Sequence, residues 1–291
     1  MPYLELSFDL EDQNPEAAEA ACFQTGALSV TLTDASDDPV LEPAPGEVRL
    51  WRSTRMQALY DQERADPQLI EALAQALGVA PDALSARAVL DRVWEREWLR
   101  DFHPMRFGRR LWIYPRHASI SAPGAVIVRL DPGLAFGTGT HASTAMCLQW
   151  LDGADLQDQE VIDYGCGSGV LAIAALKLGA RHAYAFDIDP QALLATGENA
   201  VDNGVAERLT ICPAAQAIPD GCDILVANIL ASILVGLQAD LARKLRPGGR
   251  FILSGILEEQ EPEVATAFKQ WSDMSRFALR DGWVSLSGSR H

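Results

Sequence analysis

Cysteine is scarce and never paired along the chain. The five residues, Cys22, Cys147, Cys166, Cys212 and Cys222, form no Cys-x-x-Cys step, and their number is odd. That pattern speaks against a disulfide framework or a thiolate metal site, and the five scattered histidines supply no ligand spacing either, so no metal is expected. Positive charge is also short. The 24 Lys and Arg face 40 Asp and Glu, a net charge of −16, whereas a nucleic-acid partner calls for a basic surface. No apolar run is long enough for a membrane span. The longest, over residues 224–237, is interrupted by Asn228 and fits a buried strand entering a helix. Glu5, Asp9, Glu11 and Asp12 leave no room for a leader pattern, so a cytoplasmic chain with reduced thiols and no membrane contact is expected.

What is present is apolar content sufficient for a sizeable core, 48% of 291 residues. The acidity is uneven. Residues 1–93 hold 6 Lys/Arg and 17 Asp/Glu, and the remainder holds 18 and 23. A basic partner would be steered toward the first third.

The hydrophobic rhythm divides the chain. Residues 3–10 alternate, with Leu4, Leu6, Phe8 and Leu10 on one side, which predicts a half-buried strand. Asn14-Pro15 starts a helix that Gly26 stops. Strands are expected over 27–33 and 47–52. A second helix runs from Asp66-Pro67 to Gly78 with Leu69, Ile70, Leu73 and Leu77 on its apolar face, and a strand follows over 86–93. Strand, helix, strand, strand, helix, strand is the order of a small α+β ferredoxin-like domain, residues 1–93. Residues 94–103, with Trp94 and Trp98 four apart, read as a connecting helix or linker. From 104 to 291, after strands near 110–114 and 125–130 and a helix over 144–151, short apolar strands alternate with helices. That predicts an α/β, Rossmann-like, mostly parallel sheet with an antiparallel hairpin at its end. Leu245-Arg246-Pro247-Gly248-Gly249 reads as a turn ahead of the strand at 250–254.

Three motifs carry chemistry. The first is the apolar strand 161–163, the turn Gly165-Cys166-Gly167-Ser168-Gly169 and a helix from Leu171. Glycines there let the backbone turn sharply and approach a ligand closely. The next strand ends at Asp187, where a carboxylate can accept from both hydroxyls of a ribose. A dinucleotide site would space its glycines G-x-G-x-x-G to seat a pyrophosphate; here Val170 occupies that last position, and Asp163 would repel the anion. The pattern instead suits a cofactor bearing a positive amino group, S-adenosylmethionine, with a dehydrogenase as the alternative. The second motif is Asp131-Pro132-Gly133-Leu134-Ala135-Phe136-Gly137-Thr138-Gly139-Thr140-His141, polar and glycine-rich yet with apolar Leu134 and Phe136. It reads as a cover for the cofactor's methionine end. His141 equally suits capping the helix that follows. In the third, an apolar strand delivers Asn228 to its carboxyl end, where ligands bind in open α/β sheets.

Together these residues resemble the bacterial methyltransferase family that modifies large-subunit ribosomal protein eleven. The resemblance covers nearly the whole chain. It rests on Trp94, Trp98 and Phe102-His103-Pro104, on the loop from Asp131 to His141, on the glycine turn, on Asp187-Ile188-Asp189-Pro190 and on Ala227-Asn228-Ile229-Leu230. It implies that Thr144, Gly165, Asp187 and Asn228 contact S-adenosylmethionine, with Asp163, Gly167, Phe136 and Thr140 around them. It also implies a leading domain that recognises the ribosomal protein, and methylation of lysine side chains and the N-terminal amine. The family usually continues His-Pro-Thr-Thr, whereas this chain has His141-Ala142-Ser143-Thr144, keeping the last threonine. A monomer is expected. No certain catalytic residue emerges; Asn228 and His141 are the candidates for orienting the acceptor amine. A methyltransferase for another protein or a small molecule is the alternative.

Overall fold

The computed structural model describes residues 3–11, 13–36, 51, 53–61, 67–89, 103–116, 118, 124–130 and 139–291. The chain divides into two compact units, Met1–Trp94 and Glu95–His291.

In the first unit, β1 (Tyr3–Asp9), β2 (Ser29–Asp34), β3 (Thr54–Asp61) and β4 (Ser85–Val89) form an antiparallel sheet in the order β2-β3-β1-β4. Two helices accompany it, α1 (Pro15–Gln24) and α2 (Pro67–Leu77). Asn14 caps α1 by accepting from the Ala17 amide at 3.0 Å, with Pro15 in the first turn. One core joins sheet and helices: Leu6, Phe8 and Leu10 meet Cys22, Met56, Tyr60 and Leu73. Strand β3 is an element the sequence pattern does not announce, whereas the strand expected over 47–52 falls on residues of which only 51 is described. Residues 47–50 and 52 lie outside the described residues, and the strand that pairs with β1 is β3. Its inward positions Thr54, Met56, Ala58 and Tyr60 alternate strictly with half-buried ones. Thr54 and Ala58 are too small and too little apolar to announce a buried face.

In the second unit, β5 (Met105–Phe107), β6 (Leu111–Tyr114) and β7 (Val126–Arg129) form a three-stranded sheet. After α3 (Ala142–Gly153) come β8 (Glu160–Tyr164), α4 (Val170–Leu178), β9 (His182–Phe186), α5 (Pro190–Asp202), β10 (Leu209–Cys212), β11 (Cys222–Asn228), α6 (Ala231–Lys244), β12 (Leu245–Leu257), α7 (Glu261–Phe268), β13 (Ser272–Arg280) and β14 (Trp283–Arg290). Strands β8–β14 make a sheet in the order β10-β9-β8-β11-β12-β14-β13. It is parallel through β12, and the last two strands run antiparallel.

Both faces are covered, which is why the central strands are apolar on both sides, with Asp163 the buried exception in β8. Val161, Ile224, Val226 and Ile252 pack with α3 and α4. Their alternate neighbours Ile162, Tyr164, Leu225, Ala227, Phe251 and Leu253 pack with α6 and α7. The turn expected at 245–249 is absorbed into β12 as a bulge, where Leu245 pairs with Cys222 and Arg250 already pairs with Ile224. Winding outward from β8 goes one way through β9 and β10 and the other way through β11 and β12. The carboxyl ends of β8 and β11 therefore flank a crevice at the switch point.

Candidate functional site

A cavity of about 580 Å³ opens at that crevice. Gly165, where β8 ends, has φ +79°, and a side-chain carbon there would sit 2.2 Å from Ile229 Cγ2. Only glycine lets the β8 turn close against the β11 turn. The amides of Gly165 and Cys166 both donate to the Phe186 carbonyl, at 2.8 and 3.0 Å, which ties the turn to the end of β9. Just beyond β9, Asp187 Oδ2 accepts from the Gly167 amide at 2.9 Å and Oδ1 from the Asp189 amide at 3.0 Å. Asp189 in turn caps α5 through the Gln191 amide.

Ile188 follows Asp187 at the cavity and is 87% exposed. With Leu230 and Ile233, also exposed at the same cavity, it makes an apolar patch of the kind that marks a ligand surface. On the opposite wall, Asn228 Nδ2 donates to Thr144 Oγ1 at 3.1 Å. Leu230, Ile233, Leu237 and Trp283 make the rest of the lining largely apolar. The Trp283 ring meets the His141 ring edge-on, centroids 4.8 Å apart.

The residues singled out from the sequence separate into groups. Gly165, Gly167, Asp187, Asn228 and His141 converge on the cavity. Thr144 is fully buried and acts on it through Asn228. Thr140 lies exposed beside His141 at the entry to α3. Phe136 lies outside the described residues. Asp163 does not border the cavity: it is fully buried, its Oδ2 accepts from the Ala172 amide at 2.9 Å, and its Oδ1 has no partner among the described residues. Strand alternation puts it on the face covered by α4, with Val161. Burial, above all, raises its pKa to about 7.

His141 is the N-cap of α3. Its Nδ1 accepts from the Ser143 amide at 3.3 Å and pairs with Ser143 Oγ at 2.7 Å. Burial holds its pKa below the ordinary value. Sequence reasoning passed over Ile188, Trp283 and Gly255. The last had a signal, a glycine inside an apolar strand, which marks close backbone approach.

These features fit S-adenosylmethionine. A glycine turn admits close main-chain approach, a carboxylate stands where a ribose diol would bond, and apolar surface is available to an adenine. Among the described residues no group of His, Cys, Asp and Glu could hold a metal ion, and no helix is long and apolar enough to cross a membrane.

Known proteins agree with this assignment of the fold. Residues 2–291 match the family model of ribosomal protein L11 methyltransferase (PrmA). The ribosomal protein L11 methyltransferase of Alkalilimnicola ehrlichii is 47% identical over 292 residues, spanning 100% of this chain and 99% of that protein. The one from Pseudomonas aeruginosa (strain LESB58) is 46% identical over 291 residues, 100% and 99% of the two chains. A crystal structure of ribosomal protein L11 methylase from Lactobacillus delbrueckii subsp. bulgaricus superposes with a TM-score of 0.60 at 34% identity, covering 65% of this chain and 99% of that one. The chain belongs to the ribosomal protein L11 methyltransferase family, enzymes whose methyl donor is S-adenosylmethionine.

Proposed function

We propose that this chain methylates amines, lysine side chains and the N-terminal amine, of ribosomal protein L11 in the cytoplasm. Gly165, Gly167, Asp187 and Asn228 are assigned to the cofactor, with Thr144 supporting from behind, Thr140 and Phe136 around them, and Asp163 buried behind the glycine turn, where it holds the Ala172 amide. The first 93 residues are read as a ferredoxin-like domain that recognises the substrate, and 94–103 as the connector to the methyltransferase domain, 104–291. The enzyme acts as a monomer, without nucleic acid.

The observation that carries this reading is the clamped amide of Asn228 on the cavity wall. With Nδ2 given to Thr144, Oδ1 is the end that an amine can use as acceptor. The bound cofactor supplies an electrophilic methyl on a sulfonium. The protein's task is to hold a neutral amine in line with it. Deprotonating a lysine of pKa ~10.4 at neutral pH costs roughly 4–5 kcal/mol, and an α-amine near ~8 about 1. An apolar wall disfavours the ammonium and so lowers that cost at the site. Positioning by Asn228 supplies part of the remainder.

The test is incubation of the full chain with labelled S-adenosylmethionine and purified ribosomal protein L11, followed by mapping of the label. Label on lysine and N-terminal amines is expected. Removal of residues 1–93 should keep cofactor binding and lose the protein substrate. Label in a small molecule, with none in the polypeptide, would overturn the reading.

A further inference from the structure

Helix α5 buries polar side chains where a packed helix would normally bury apolar ones. Thr196 is 0%, Asn199 7% and Asn203 8% exposed. They lie at i, i+3 and i+7, on one stripe. Such groups are costly to bury unless each is bonded, and each is. Thr196 Oγ1 donates to the Gly167 carbonyl at 3.0 Å. Asn199 Nδ2 donates to the Ser168 carbonyl at 2.9 Å, and its Oδ1 accepts from Arg116 Nη2 at 2.9 Å. Asn203 closes a two-way pair with the main chain of Arg129: Nδ2 donates to the carbonyl at 2.7 Å, and Oδ1 accepts from the amide at 2.8 Å.

Both groups of Gly167 are therefore held, its amide by Asp187 and its carbonyl by Thr196. The next carbonyl, Ser168, is held by Asn199. The helix that does the holding is itself tied to β7 through Asn203 and to Arg116 through Asn199 and Asp202, the latter an ion pair of 2.6 Å. Hydrophobic packing alone would not require any of these donors at these positions.

We propose that Thr196 and Asn199 are positioning residues for the methyl donor: by fixing the carbonyls of Gly167 and Ser168 they hold the glycine turn in its ligand-receiving shape. This rests on reading the cavity at Gly165 as the cofactor site. Neither side chain lines that cavity, so both act through the main chain of the turn.

Two variants of the full-length enzyme separate positioning from plain packing. In Thr196→Val the shape is kept and the donor is lost. In Asn199→Asp the size and the bond from Arg116 are kept, but a carboxylate cannot donate to the Ser168 carbonyl and is repelled by it. Each should weaken S-adenosylmethionine binding in titration calorimetry by about tenfold, the loss expected for one hydrogen bond. The KM for the cofactor should rise with it, while kcat at saturating cofactor stays within about twofold, as for removal of uniform binding. An unchanged Kd in Thr196→Val overturns the proposal, even if Asn199→Asp fails to fold. So does a fall in kcat at unchanged KM. Gly165→Ala is measured beside them. If it binds cofactor normally, the reading of the cavity itself falls. If it loses binding while Thr196→Val and Asn199→Asp do not, only the positioning role falls.

Discussion

Asn228 Nδ2 donates to Thr144 Oγ1 across 3.1 Å, joining the carboxyl end of β11 to the first turn of α3. The bond occupies the amide's nitrogen and leaves Oδ1 as the atom that can accept from a ligand in the cavity. Thr144→Val keeps the shape and frees the amide. We expect kcat to fall by about tenfold, the worth of one orienting hydrogen bond, with the Kd of the cofactor rising by a few-fold at most. Asn228→Ala should cost more, because the acceptor itself is gone. Single-turnover rates with ribosomal protein L11 measure both. Equal rates for wild type and Thr144→Val would mean that the amide is held by something other than this bond.

Gly255 shows how closely the site's main chains approach. It follows Ser254 in β12 with φ +79°, and a side-chain carbon there would lie 2.5 Å from the Ile229 carbonyl oxygen and 2.9 Å from its carbon. Backbone, unlike a flexible side-chain tip, yields only by moving the turn that follows Asn228. Gly255→Ala should therefore lower unfolding stability by about 1–3 kcal/mol and reduce turnover by more than tenfold. Denaturant unfolding and initial rates check the two effects separately. A variant that lost stability alone would show that Asn228 does not move with Ile229.

The parts of the fold that were readable in advance are those where one physical demand dominates. β8 and β11 are buried on both faces, so apart from Asp163 their central residues, 161–164 and 224–227, are apolar or aromatic; Asn14-Pro15 and Asp189-Pro190 announce helix starts by capping chemistry. Strand β3 of the small sheet was not announced, because its inward face is built partly from Thr54 and Ala58. The charge of Asp163, which would repel a pyrophosphate and suit a positive amino group, places it beside the cofactor. Period-two alternation decides otherwise: it shares its face with Val161, under α4. Trp283 reaches His141 only because β14 folds back antiparallel against β12, a pairing between distant segments that no local pattern encodes.

Asp163 gives a pH signature. Burial raises its pKa in the folded chain to about 7, from an ordinary carboxylate value near ~4 in the unfolded one. Between those values the folded state binds the extra proton. Its contribution is thus fully present below about pH 4 and is lost as pH rises through about 7. Asp9, Asp220 and Asp223, held low, act in the opposite sense and only in the acid range below the ordinary carboxylate value. Asp163→Asn keeps an acceptor for the Ala172 amide and removes the titration. Measured without cofactor, wild type should lose stability relative to Asp163→Asn from pH 5 to pH 8, by a few kcal/mol at most. Parallel stability curves would place the proton elsewhere.

His141 is the remaining test of whether this chain needs a general base. Its Nδ1 lone pair is committed to the Ser143 amide, so the neutral ring carries its proton on Nε2 and offers no second lone pair. Burial keeps the ring neutral at pH 7. A capping role and a proton-accepting role then predict opposite results for one substitution. Asparagine is a good N-cap and a negligible base near neutrality. His141→Asn should keep stability and turn over within a few-fold of wild type, while His141→Ala should lose about 1 kcal/mol of stability with the cap. The rate of wild type should show no inflection attributable to an imidazole at or below its ordinary value of about 6.5. If His141→Asn folds, binds S-adenosylmethionine normally and yet cannot methylate, the proton of the incoming amine does pass to this ring, and Asn228 alone does not account for the chemistry.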